Sequence, residues 1–277
     1  MSQATLRRAT RIGLGGFGNV AAQLTRAILA EPDAGMEITA ISAGNLDAAR
    51  ERATKLGLQV PVIPAVGLPE HADVIVECAT YESFRDILEP ALRAGKHVIA
   101  VSVGALAVNF DLLDIAKEHG ATLHIATGAM PGLDILRSAR EGTIESVRLE
   151  SHIRPGSFAH EEYVIEKGVD LAAAETGPVP VFLGSAREAA RHFPRHFNVA
   201  VALSLAGIGL DRTEIEIFAN GTLPGARHTV RVKSDVADLE MTSQNFPSPD
   251  NQRTSRAVAP SILAALRELN TPLRIGS

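Results

Sequence analysis

Gly13-Leu14-Gly15-Gly16-Phe17-Gly18 decides how this chain is read. The spacing is G-x-G-x-x-G. It follows a short apolar segment ending at Thr10–Gly13 and opens Asn19–Ala30, whose Val20, Leu24, Ala27 and Ile28 share one helical face. In that setting the glycines form a dinucleotide-binding turn. The first permits a tight turn, the second lets the backbone approach a pyrophosphate, and the third allows close packing of helix on strand. The anion then sits at the helix N-terminus. The competing reading is a glycine-rich turn without a ligand. Gly13, Gly15, Gly16, Phe17, Gly18 and Asn19 are the candidate cofactor contacts here.

Outward from the turn, strand-like and helix-like segments alternate. Glu37–Ala43, Ala72–Cys78, His97–Ser102 and Ala121–Ala126 read as strands, and Leu46–Leu56, Tyr81–Ala94 and Asn109–His119 as helices. This alternation is the signature of stacked βαβ units and a parallel sheet. The second strand ends Ala40-Ile41-Ser42-Ala43-Gly44-Asn45, without the carboxylate that commonly binds an adenosine 2′-hydroxyl. Ser42, Asn45 and Arg50 are suited instead to a 2′-phosphate, so NADP is favoured over NAD, with dual use open. Cys78 and Ala79 end the third strand, on the side expected to face the nicotinamide. Ala79 is a cofactor candidate, and Cys78, with no base or cation near it in sequence, reads as a small buried residue.

Beyond residue 126 the rhythm changes. Glu145–Ile153, Thr213–Ala219, His228–Lys233 and Ala237–Ser243 alternate like half-buried antiparallel strands, with helical pieces at Ala186–Arg191 and Val199–Gly207 and an amphipathic helix at Ser255–Leu269. The expected fold class is α/β: an N-terminal Rossmann domain with a doubly wound parallel sheet, plus a C-terminal α+β domain with a mainly antiparallel sheet. The expected domains are 1–126 for dinucleotide binding, 127–250 for substrate and oligomerisation, and 251–277 as a terminal helix packing back on the first.

The composition agrees. The chain has 277 residues, enough for two domains, and only 4% of them are aromatic, so the core is aliphatic, as β/α layering prefers. A net charge of −5 argues against nucleic acid as a partner. Neither a signal-peptide pattern nor an apolar run long enough to span a bilayer is visible, and there is one cysteine, so a cytoplasmic, membrane-independent protein is expected. The nine histidines show no metal-ligand spacing: His192 and His196 are i, i+4, but Pro194 stands between them, so no metal is expected.

Several blocks resemble the L-aspartate dehydrogenase family: the glycine turn, Val98–Leu106, Ala126–Leu136, Gly184–Gly209, the His228-Thr229-Val230 strand and Asn251–Leu266. The resemblance implies interconversion of L-aspartate with oxaloacetate and ammonia through iminosuccinate, using NAD(H) or NADP(H). It implies that His228 is the catalytic histidine and that Ala129 and Asn198 contact the nicotinamide end of the cofactor. It further implies a homo-oligomer, with a dimer expected, and a role towards pyridine nucleotide synthesis.

The residue chemistry is compatible with these roles. A histidine suits the proton traffic of imine hydrolysis. Without the resemblance, His228 would read as a surface histidine on a strand. Asn198 also suits a helix N-cap. A dicarboxylate requires cationic or amide sites. Arg154, Arg195 and His196 are the substrate-contact candidates, with Lys167, Arg191 and Arg253 behind them. Two other functions stay open: reduction of another 2-oxo acid or imine on the same fold, and a non-catalytic NAD(P)-sensing regulator.

Overall fold

The computed structural model describes residues 8–193 and 198–276, with only the main chain of Gln252 and Arg253. The chain divides into two compact units. One comprises residues up to Ser102, Asn109–Ala126 and Ala259–Arg274; the other comprises Val103–Val108, Thr127–Val258 and the last residues from Ile275.

Strands buried on both faces need mainly apolar side chains, and the central strands of the first unit supply them. Its strands are β1 (Thr10–Gly15), β2 (Met36–Ser42), β3 (Val74–Glu77), β4 (His97–Ala100) and β5 (Thr122–Ile125). All pair in parallel, in the order β2-β1-β3-β4-β5. Ile12, Leu14, Ile41, Ile75, Val76, Val98 and Ile99 are fully buried in this sheet. Helices α1 (Asn19–Leu29), α2 (Leu46–Lys55), the single turn α3 (Leu68–His71), α4 (Phe84–Arg93) and α5 (Asp111–Glu118) connect the strands. The strand order reverses between β1 and β3. That switch point opens the crevice in which doubly wound sheets bind ligands, and there Gly15 pairs with Glu77.

The expected Rossmann sheet is therefore present, with shifted ends. The segment expected as one helix over Tyr81–Ala94 begins as a 3-10 turn, Tyr81–Ser83. The terminal helix starts at Val258 rather than Ser255, because Asn251–Ser255 is taken by a strand paired with Pro247–Ser248.

The second unit carries the strands β6 (Ile144–Ile153), β7 (Val179–Ser185), β8 (Thr213–Ala219), β9 (Arg227–Ser234) and β10 (Leu239–Gln244), in the order β10-β9-β6-β8-β7. Three of the four pairings are antiparallel, and β6 with β8 is parallel. Helices α6 (Leu133–Ala139), α7 (Glu162–Glu166), α8 (Ala186–His192) and α9 (Asn198–Ala206) belong to this unit. On one face of the sheet the side chains alternate inward as Val147, Leu149 and Ser151 on β6, Ile215 and Ile217 on β8, and His228, Val230 and Val232 on β9, all buried. The opposite face is charged: Arg148 pairs with Glu214 at 2.5 Å, and Arg231 bridges Glu150 and Glu240, each at 2.9 Å.

The last helix, α10 (Val258–Asn270), returns to the first unit. Thr10 donates to Asn270 Oδ1 at 2.8 Å, Asn270 Nδ2 donates to the Gly35 carbonyl at 3.3 Å, and Arg267 pairs with Glu31 at 2.6 Å.

Candidate active site

In the first unit the glycine turn is tied to both neighbouring strands. Gly16 N–H donates to the Ser42 carbonyl at 2.9 Å, and Cys78 N–H donates to the Gly15 carbonyl at 2.8 Å. Gly16 has φ +93°, and a Cβ built on it would lie 2.7 Å from the Ala79 Cα, so only glycine fits. A Cβ on Gly15 would overlap Ile87, and one on Gly13 would come within 2.9 Å of Ile75.

The roles expected for the glycines are therefore redistributed. Close packing falls to Gly13 and Gly15, because both lie inside a buried strand under helix α4 and its neighbours. The left-handed turn falls to Gly16. Gly18, expected to pack, has nothing within 4 Å of its missing Cβ. It precedes α1, whose N-terminus has no side-chain cap and no acidic residue in its first turn. Uncapped amides beside an open space, without a repelling carboxylate, fit a pyrophosphate. From α2, Arg52 donates to the Phe17 carbonyl within the same turn.

Ser42 is buried at the end of β2. Asn45 caps α2, its side chain accepting from Ala48 N–H at 3.0 Å, and Arg50 forms an exposed pair with Asp47 at 2.7 Å. Asn19, the first residue of α1, is bonded through its side-chain oxygen by Gln23. Cys78 is buried, its Sγ 3.5 Å from the Gly16 carbonyl, and burial pushes its thiol pKa far up.

Glu77 went unread in the sequence. It is fully buried at the switch point and accepts three backbone N–H groups: Ala79 at 2.9 Å on Oε1, and Val101 at 3.1 Å and Ser102 at 2.9 Å on Oε2. The Ser102 hydroxyl in turn donates to the Ala79 carbonyl at 3.0 Å. One carboxylate thus fixes the loops after β3 and β4, including Ala79. Burial raises its pKa while the three donors pull it back. The available signal was an acidic residue ending the apolar run Val74-Ile75-Val76.

In the second unit His228 is 4% exposed, so it is not a surface histidine. It faces Ser151 across the β6–β9 pairing and Ser243 across β9–β10. Its Nδ1 lies 3.0 Å from Ser151 Oγ. Burial, and secondarily the positive form of His152, push its pKa down to about 4. His152 points to the opposite face, between Glu150 at 3.0 Å and Asn220 at 3.3 Å, stacked on Phe218.

Ser243 donates to the Ala129 carbonyl at 3.1 Å and Asn245 Nδ2 to the same oxygen at 3.3 Å. The structure thus links Ala129 to the strand beside His228. Asn198 begins α9, and its Oδ1 accepts from Gly104 N–H at 2.8 Å. Its side-chain oxygen is therefore engaged by the 103–108 segment. Arg154 is exposed just after β6, three residues beyond Ser151. Lys167 is exposed with its ammonium 5.7 Å from the Tyr163 ring, and Arg191 is exposed in the last turn of α8. Arg195 and His196 lie outside the described residues, as does the side chain of Arg253. Ser151, Ser243 and Asn245 were missed as well. For Ser151 the signal was a polar side chain at a core-parity position, in Val147-x-Leu149-x-Ser151.

Residues 16–126 match the family model for the NAD-binding domain of homoserine dehydrogenase, and residues 134–269 match that for the C-terminal part of aspartate dehydrogenase. The chain is 39% identical to L-aspartate dehydrogenase 3 of Bordetella bronchiseptica over 96% of its own length and 97% of that protein. It is 36% identical to the L-aspartate dehydrogenase of Bradyrhizobium diazoefficiens over 100% of its length and 98% of that protein. Among solved structures, aspartate dehydrogenase of Thermotoga maritima has the same fold, with a TM-score of 0.70 at 24% identity, covering 97% of this chain and 100% of that one.

Proposed function

We propose that this chain, which belongs to the L-aspartate dehydrogenase family, interconverts L-aspartate with oxaloacetate and ammonia by way of iminosuccinate. The observation that carries the reading is a histidine buried, with Ser151 as its partner, in a mainly aliphatic sheet face, within a chain matched along its whole length by these relatives. The pyridine nucleotide, when bound, supplies the acceptor or donor of the hydride at the substrate Cα.

Everything else falls to the chain. Residues 1–126, completed by α10, take the cofactor: the open space at Gly18 and the amides of α1 receive the pyrophosphate, and Glu77 holds the Ala79 and Ser102 loops in place. Ala129 and Asn198 are assigned as further cofactor contacts. Residues 127–250 take the substrate. Between amino acid and oxo acid, water adds to a C=N bond and ammonia leaves, which requires a polar group at that carbon to polarise the bond and order the proton exchange. His228 does this through Nε2, since Nδ1 is engaged by Ser151. Arg154, just beyond the end of the strand that carries Ser151, is the candidate for a substrate carboxylate.

NADP is favoured over NAD, because β2 ends at Ser42 without an acid and the first carboxylate beyond it, Asp47, is paired with Arg50. The test is oxidation of NADPH and of NADH with oxaloacetate and ammonium at alkaline pH. Turnover with NADPH at the higher kcat/KM supports the reading; no turnover with either cofactor rejects it.

A further inference from the structure

A serine hydroxyl can give its proton to a histidine nitrogen or receive one from it. Which it does depends on what else the hydroxyl can reach. Ser151 is fully buried, and among the described residues its hydroxyl has one polar partner, Nδ1 of His228 at 3.0 Å. The two residues are directly opposed in the antiparallel β6–β9 register, which sets their side chains next to each other on one face.

If Nδ1–H donated to Oγ, the hydroxyl proton would be left in a buried site without an acceptor, the costly kind of omission. If the hydroxyl donates to Nδ1, its proton is satisfied and only the lone pairs on Oγ go unused, which costs less. The neutral ring must then carry its proton on Nε2.

We propose that Ser151 is a positioning residue that holds neutral His228 as the Nε2–H tautomer, so that the histidine meets its substrate as an uncharged hydrogen-bond donor. This rests on the reading of His228 as the catalytic histidine. Burial keeps the ring neutral near neutral pH, with His152 the neighbouring titratable group that adds to the effect, so the tautomer and not the charge is left for Ser151 to decide. An Nε2–H imidazole donates to the oxygen or nitrogen on the substrate's C2 and draws electron density from that carbon, which favours attack on it by ammonia, water or hydride. The resting site is thereby set for a bound 2-oxo acid or imine.

Nitrogen-15 NMR of the histidine-labelled full chain, free of cofactor and substrate, reads the tautomer directly; the His228→Gln spectrum identifies the His228 signals by their loss. The expected result is a protonated Nε2 and a bare Nδ1 in the wild type, with Nδ1–H populated in Ser151→Ala. Kinetically, Ser151→Ala is expected to lower kcat by about 10- to 100-fold while the cofactor Kd moves by about twofold or less, and Ser151→Thr to restore most of kcat. A wild-type ring protonated on Nδ1 overturns the proposal, as does a folded Ser151→Ala with wild-type kcat. Should Ser151→Ala fail to fold, the wild-type tautomer and the Ser151→Thr kinetics decide. Because the spectrum needs no turnover, an enzyme inactive on aspartate would reject the proposed reaction and leave the tautomer to be judged separately.

Discussion

Each unit buries a titratable side chain that anchors its candidate site, Glu77 in the first and His228 in the second, and the two are compensated in opposite ways. Glu77 is met by three backbone N–H groups, whereas His228 is met by a single serine hydroxyl. Burial drives both towards their neutral forms, the acid upward and the base downward. A pocket lined by main chain tolerates many side chains, because every residue except proline brings an N–H. A pair of side chains survives only while both named residues remain. Damage to the first site should therefore come from changes that divert the backbone, and damage to the second from loss of one functional group.

The largest expected contrast is His228→Ala, which should lower kcat for oxaloacetate and ammonium by about 100- to 1,000-fold. Cofactor affinity, read by quenching of dihydronicotinamide fluorescence, should barely change. Loss of both would mean that the side-chain site and the backbone site are not separable.

Acidification comes next. The unfolded chain protonates His228 near the ordinary value of 6.5 and the folded chain at about 4, so as pH falls through that window the unfolded state takes the proton first. Stability held above pH 6.5 is then lost by about 3 kcal/mol on reaching pH 4. Urea denaturation across that range should show the slope in the wild type and lack it in His228→Ala; the same slope in both would assign it to other groups.

Gly16→Ala should weaken cofactor binding by about 30- to 100-fold, since a left-handed residue pressed on the Ala79 backbone must move the turn. An unchanged Kd would remove the turn from the binding site. Glu77→Gln should cost about 1–3 kcal/mol in denaturant titration, because its amide must face at least one N–H that now meets a carboxylate oxygen. The smallest effect is expected of Gly18→Ala: a melting temperature within about a degree of wild type, since the methyl meets open space, with cofactor affinity reduced about fivefold if the pyrophosphate lies there. Unaltered affinity would shift the anion elsewhere.

The same contrast explains what the sequence made legible. The first site follows from local order: a strand, a turn with glycines at fixed offsets and a helix, all within twenty residues, dictate the backbone path. Even there the spacing did not say which glycine packs and which stays open, because that depends on Ile87 and Ala79, far along the chain. In the second unit His228 could be named only by resemblance. Its partner Ser151 stands 77 positions away, brought opposite by a strand register that no local pattern specifies. Strand β7 was missed for a related reason: Val179-Pro180-Val181 carries a proline, tolerable because β7 is an edge strand.

The return of α10 to the first unit has a consequence for how the protein comes into being. The strands that hold the glycine turn emerge from the ribosome first, yet Thr10, Glu31 and Gly35 wait for Asn270 and Arg267. The unit whose strands come first is closed only after residues 127–258 of the other have been synthesised. A nascent chain halted before Val258 would carry every cofactor candidate and still expose the surface that α10 covers.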